Sequence, residues 1–164
     1  MARKKRTDNK GYVLRVGEYQ SKSGRYSFKY TQNGKRYTVY GLTLKELREK
    51  EKQIEKDLED GIDNSRRNIT LNQLFQEYLE LKTDLRESTR CNYLASWNNA
   101  IRDSDIGKTK VSEIDQIRIR KFYAGLVKQG LAASTIKFYH SLICPALELA
   151  VDSNMIRKNP AKDA

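Results

Sequence analysis

The sequence predicts an α+β chain in two parts: a small three-stranded antiparallel sheet with one packed helix, followed by a separate four-helix bundle. Three observations predict it. Two alternating runs, GRYSFKYTQ and KRYTVYG, flank the pair Asn33-Gly34, the strongest short-range hairpin signal a sequence carries. The pairs Thr43/Glu46 and Thr70/Gln73 have capping-box spacing, and each opens an apolar stripe of helical period. Between those stripes, GIDNSRRN (61–68) is polar and without periodicity. The expected domains are therefore 11–61 and 70–160, with a linker at 62–69, an unstructured basic arm at 1–10, and the start of a further linker at 161–164.

Each element has its own warrant. Residues 1–10, MARKKRTDNK, carry no apolar pattern and are expected to be disordered alone, as a solvated tail or as an arm lying along phosphates. Tyr12 to Glu18 reads as a first strand interrupted by Gly17, and Gln20 to Ser23 as the connection onward. With Asn33 and Gly34 at the turn, Thr31 faces Arg36, Lys29 faces Thr38 and Ser27 faces Tyr40. One face then carries Arg25, Ser27, Lys29, Thr31, Arg36, Thr38 and Tyr40. The other carries Tyr26, Phe28, Tyr30, Tyr37 and Val39.

The cover for that apolar face is the next helix, with Leu44, Leu47, Ile54 and Leu58 in a narrow stripe and Gly61 as its stop. Its remaining Lys and Glu read as a solvated face. The core is small, and modest stability follows. In the bundle, Thr70 opens a helix bearing Leu74, Phe75, Tyr78 and Leu81. Ser88 or Thr89 opens a second with Tyr93, Leu94, Trp97 and Ile101. Asp115 opens a third with Ile117, Phe122, Leu126 and Val127, stopped by Gly130. Ser134 is expected to cap the last, which carries Ile136, Tyr139, Ile143, Leu147 and Ala150. Pro145 lies inside it and predicts a kink or local break, and Asn159-Pro160 ends regular structure.

Charge narrows the function. The net charge of +11 is uneven: residues 1–41 hold 11 Lys/Arg against 2 acids, residues 42–70 hold 7 against 8, and residues 71–164 hold 14 against 11. A concentrated cationic patch attracts polyanions. No window approaches the ~18 apolar residues of a spanning helix, and the basic start leads into polar residues where a signal peptide is apolar. A cytoplasmic protein is expected. Cys91 and Cys144 lack metal-motif spacing and read as reduced thiols. No metal or cofactor is expected, since there is no phosphate-binding glycine loop and no ligand cluster.

A two-stranded ribbon fits the major groove, and its basic, hydroxyl-bearing face suits base edges and phosphates. The alternative is an ordinary solvated outer face, and the charge distribution favours nucleic acid. The sheet candidates are Arg25, Ser27, Lys29, Thr38 and Tyr40, with Lys22 and Arg36 at the edges; Arg25 and Lys29 have the chemistry to read guanine. In the bundle, the second helix presents Thr89, Asn92, Ser96 and Asn99 with Arg90 flanking, and the last presents Ser134, Lys137 and Ser141 with His140 on the border. Asn and Ser both donate and accept, which suits base edges. Plain solvation is the competing reading for both helices, and His140 reads first as structural.

The bundle positions Ser88-Thr89, Tyr93, Ile114-Asp115, Phe122-Tyr123, Leu126, Ser134-Thr135-Ile136, Leu147, Ala150 and Asn159-Pro160, together with Gly24-Arg25-Tyr26, Lys29-Tyr30 and Tyr40 in the first domain, carry a family pattern. On them the chain resembles the N-terminal part of a tyrosine recombinase, an integrase of the conjugative-transposon and lambdoid phage type. The resemblance covers nearly the whole chain. It implies an arm-type DNA-binding domain followed by a SAM-like core-binding domain, double-stranded DNA at arm and crossover sites as partner, assembly with other protomers on DNA, and a place on the nucleoid in the bacterial cytoplasm. It also implies that the catalytic domain is absent. The family's chemistry needs clustered Arg, Lys and His around a Tyr nucleophile, whereas His140 is the only histidine and is followed by Ser141, Leu142 and Ile143. No strand cleavage is expected of this chain alone. A stand-alone regulator occupying the same sites is the alternative, and a nonspecific RNA- or ribosome-associated protein a third reading.

Overall fold

The computed structural model describes residues 6–66 and 68–164. The chain divides into two compact units, Met1–Ser65 and Arg66–Ala164.

The first unit is an antiparallel sheet in the order β1 (Glu18–Gln20), β2 (Tyr26–Gln32), β3 (Lys35–Gly41), backed by helix α1 (Leu44–Glu59), which packs on β2 and β3. Asn33 and Gly34 take φ of 50° and 74°, the left-handed pair that a two-residue hairpin needs to follow strand twist. The register is the expected one, Ser27 opposite Tyr40, Lys29 opposite Thr38 and Thr31 opposite Arg36.

The first strand is displaced from its expected place. It begins at Glu18 rather than running Tyr12 to Glu18, because Gly17 adopts φ 90° in a turn closed by the Glu18 N–H on the Arg15 carbonyl, 3.1 Å. A Cβ on Gly17 would stand 2.7 Å from the Phe28 ring, so both conformation and space demand glycine. The basic arm is also corrected in part. Its residues 1–5 lie outside the described residues, but residues 6–10 fold back, with Thr7 bridged to Val13. The anchor is Asp8, the one acid of the arm. It is buried and accepts from the Tyr26 hydroxyl at 2.7 Å and the N–H groups of Tyr12 and Lys10 at 2.7 and 2.9 Å.

Thr43 caps α1, accepting from the Glu46 N–H at 3.1 Å, while the Glu46 carboxylate reaches Leu42 N–H rather than the cap residue itself. At the other end Gly61 (φ 72°) donates to Leu58 and Ile62 to Asp57, a Schellman closure. The buried apolar side chains of this unit are Tyr26, Leu47 and Ile54. The polar side of α1 is not wholly solvated: Glu51 and Asp57 are buried. The expected linker also carries structure. Gln32 clamps it from β2, donating to the Ile62 carbonyl (2.7 Å) and accepting from the Asn64 N–H (3.0 Å), ahead of a 3₁₀ turn at Asn64–Arg66.

The second unit holds α2 (Leu71–Leu81), α3 (Glu87–Ala100), α4 (Asp105–Lys108), α5 (Gln116–Lys128) and α6 (Ala133–Asp152). The single-turn α4 and a 3₁₀ turn at Val111–Glu113 extend the four expected helices. The Thr70/Gln73 box closes in both directions. Two starts move: α3 begins at Glu87 after Arg86, and α6 begins at Ala133 after Ala132, with Ser134 inside the first turn rather than capping it. Leu81, Ile117 and Val127 were expected in the core and are exposed, while Leu79 and Ile119 are buried. Two positions along a helix differ by about 200°, so each neighbouring pair can place one member inside. The helix α6 runs through Pro145 without a break. At the centre Phe75 stacks on Trp97 with centroids 3.7 Å apart, and the Trp97 indole N–H donates to Asn72 at 2.8 Å. No described helix is long and apolar enough to cross a membrane.

Candidate nucleic-acid interface

The exposed face of the sheet is built by register. Tyr19, Ser27 and Tyr40 stand opposite one another across the three strands, followed outward by Lys29 with Thr38 and Thr31 with Arg36. Arg25 stands just before β2, its carbonyl accepting from Ser21, and Lys22 lies exposed in the turn between β1 and β2. Ser27 is half-buried between the two exposed tyrosines; the other sheet candidates are exposed. Among the described residues Lys22, Arg25, Lys29 and Arg36 have no acidic partner. The face therefore keeps its cations free for an external anion.

Two members of this face escaped the sequence reading. The Arg6 guanidinium lies 4.5 Å, and the Lys29 ammonium 5.4 Å, from the centroid of the Tyr19 ring. Ending the first strand at Glu18 removed Tyr19 from the sheet, and treating residues 1–10 as unstructured removed Arg6. On the opposite face the Phe28, Tyr30 and Tyr37 rings stack at 6.1 and 5.5 Å.

The electrostatics behind the sheet are set by a buried carboxyl pair. Glu18, at the start of β1, is fully buried, and Glu51 of α1 is 2% exposed. Burial works to raise Glu18, yet hydrogen bonds from Arg48 (2.9 and 3.2 Å) and the Arg15 N–H (2.6 Å) outweigh it and hold the carboxyl below its usual value. Glu51 shares a side-chain hydrogen bond with Glu18 and lies 3.9 Å from Arg15, while its Oε1 has no hydrogen-bond partner among the described residues. Burial and the neighbouring Glu18 charge push it up to about 7. For Asp8, burial is likewise outweighed, by the Tyr26 hydroxyl and two backbone N–H groups, and its pKa is lowered.

In the bundle, Asn92 and Asn99 are exposed on α3, and Thr89 and Ser96 half-buried. Arg90 is not a free flanking donor: one guanidinium N–H is given to the Leu79 carbonyl at 3.0 Å, closing the end of α2. On α6, Ser134, Lys137 and Ser141 are exposed, the Ser141 hydroxyl donating to the Phe138 carbonyl at 2.7 Å. Phe138 meets Tyr93 edge-on at 6.0 Å, which joins the polar rows of α3 and α6. The border His140 is structural, its Nδ1 3.0 Å from the Tyr123 hydroxyl. Burial, with a smaller contribution from Cys144, pushes the Tyr123 phenol far above its usual value, so it remains neutral. Among the described residues no cluster of three His, Cys, Asp or Glu side chains has the arrangement of a metal site.

Comparison with known proteins matches both units. Residues 2–58 match the family described as the DNA binding domain of Tn916 integrase, and residues 70–127 the family described as the phage integrase N-terminal SAM-like domain. The transposase from transposon Tn1545 of Streptococcus agalactiae is 29% identical over 172 residues, covering 95% of this chain and 42% of that protein. The chain thus spans about two-fifths of the length of this relative. Two solved structures share the fold. The Tn1549 transposon integrase in complex with a circular intermediate DNA has a TM-score of 0.54 at 17% identity over 57% of this chain and 29% of that one. A lambda integrase tetramer bound to a Holliday junction has 0.52 at 19% identity over 92% and 47%.

Proposed function

The chain belongs, through both of its units, to the tyrosine-recombinase integrases, and from that premise we propose that it binds double-stranded DNA site-specifically in the integration and excision of a mobile element. The sheet holds accessory arm sites, through Lys22, Arg25, Ser27, Lys29, Arg36, Thr38 and Tyr40. The bundle clamps the crossover site through Asn92, Ser96, Asn99, Ser134, Lys137 and Ser141, with Thr89 at the margin. Two tethered sites raise each other's effective concentration. The observation that carries this reading is the sheet face itself, where hydroxyls and cations without an acidic partner stand in register on one surface that holds no acid, while Glu18 of the same sheet is buried.

This chain does not cut DNA alone in this reading. Its single histidine is engaged with Tyr123, and a tyrosine nucleophile without clustered cations has no means of stabilising the transferring phosphate. Recombination requires the remainder of an integrase and further protomers assembled on DNA, in the bacterial cytoplasm. The test is enrichment of a randomised 30-base-pair duplex pool by the intact chain. Recovered duplexes bound ~10³-fold or more above a scrambled control support a sequence reader. Equal binding to both would reduce the protein to a general polyanion binder.

A further inference from the structure

Tyr19 stands where two cations converge. It lies on β1, an edge strand, and is 50% exposed. The Arg6 and Lys29 charges lie 4.5 and 5.4 Å from its centroid, hence within 10 Å of each other. Arg6 is tethered further by donating to the Arg15 carbonyl at 3.4 Å. Lys29 belongs to the central strand, but Tyr19 pairs with Ser27, so the Lys29 stem leans diagonally from the middle of the sheet to its edge. Like charges drawn to one ring repel each other, and an anion between them removes that repulsion.

The geometry of a groove says which anion. Three strands at ~4.8 Å spacing span about 10 Å, close to the ~12 Å width of the major groove. A sheet seated there turns its central strand to base edges and its outer strands to the phosphates. We propose that Arg6 and Lys29, held by Tyr19, form a phosphate clamp at the β1 edge, and that Lys29 contributes affinity while Arg25 is left to read bases. This rests on the DNA-binding reading above and deepens it. Tyr19 acts as a positioning residue: its ring, and not its hydroxyl, gathers the cations.

The test uses the intact chain, a duplex recovered from the randomised pool and its scrambled counterpart, with affinity followed from 0.05 to 0.3 M salt. Lys29→Ala and Arg6→Ala each weaken both duplexes about eightfold at 0.1 M salt and flatten the salt slope by ~0.9, leaving the preference between duplexes unchanged. Tyr19→Phe stays within twofold of wild type. Tyr19→Leu weakens both duplexes and flattens the slope, and adding Lys29→Ala to it costs less than Lys29→Ala alone. A wild-type slope in Tyr19→Leu overturns the clamp, as does a Lys29→Ala variant whose preference between duplexes is relaxed. Absence of any preference in the wild-type chain defeats the site-specific reading separately, because the slopes on the scrambled duplex still test the clamp.

Discussion

Asp8 and Tyr26, eighteen positions apart, meet in a buried hydrogen bond of 2.7 Å between carboxylate and phenol. The bond ties residues 6–10 to the first residue of β2, and the same carboxylate satisfies two backbone N–H groups. Asp8→Ala leaves all three donors without their acceptor. The expected result is a lower urea midpoint for the first unit and loss of the Arg6 contribution to DNA affinity. Tyr26→Phe removes one bond only and lowers the midpoint less. Tyrosine resonances of the sheet in a urea titration report both.

The pH dependence of the first unit follows from Glu51. Its pKa in the folded chain is about 7 against 4.5 for the unperturbed group. The folded state therefore binds more protons in that interval, and stability declines as pH rises from about 4.5 through 7. Arg48, raised further by Glu18, stays charged throughout. Asp8 has the opposite sign: its lowered pKa contributes stability that is lost only as pH falls below the usual 3.8. The unit should be most stable near pH 4 to 5. Glu51→Gln should flatten the decline toward neutral pH, as urea midpoints measured from pH 4 to 8 would register; an unchanged decline would place its source elsewhere.

Two glycines of the bundle separate packing from propensity. A Cβ on Gly107 would lie 2.2 Å from the Ile101 carbonyl oxygen, a backbone atom that cannot step aside cheaply. Gly107→Ala should cost about 3 kcal/mol, at the high end for overpacking. Gly125 lies within α5 with nothing within 4 Å of its Cβ position. Gly125→Ala should stabilise by about 0.5–1 kcal/mol through helix propensity. Trp97, buried in this unit and the only tryptophan, provides the fluorescence readout for both.

What was legible in the sequence was what local rules determine. Asn33-Gly34 set the hairpin and its register, Thr70 and Gln73 set the start of α2, and Gly61 set the end of α1. The tertiary choices were not legible. Gly17 looked like a flaw in a strand, although its φ of 90° ends one segment and begins another. Asp8 looked like one acid in a basic tail, and its burial depends on a hydroxyl eighteen residues away. Ile117 and Ile119 are equally apolar, and only the packing of α5 decides which is inside. The sheet candidates were readable because alternation assigns faces; the role of Arg90 was not, because the Leu79 carbonyl it closes belongs to another helix.

Arg90 and Lys137 therefore make a pair of variants with opposite expectations. Both are cations near the polar rows of α3 and α6, and charge alone would have them lose DNA affinity alike. Arg90 is half-buried and donates across helices, so Arg90→Ala removes a hydrogen bond that closes α2 and should lower bundle stability by about 1 kcal/mol. Its effect on the salt slope should be small. Lys137 is exposed and has no acidic partner among the described residues. Lys137→Ala should leave the Trp97 unfolding midpoint unchanged while flattening the salt slope of DNA binding by ~0.9, the signature of one phosphate contact. Exchanged outcomes, a stable but weakly binding Arg90 variant and an unstable Lys137 variant, would move the DNA contact of the bundle from α6 to the α2 end of α3.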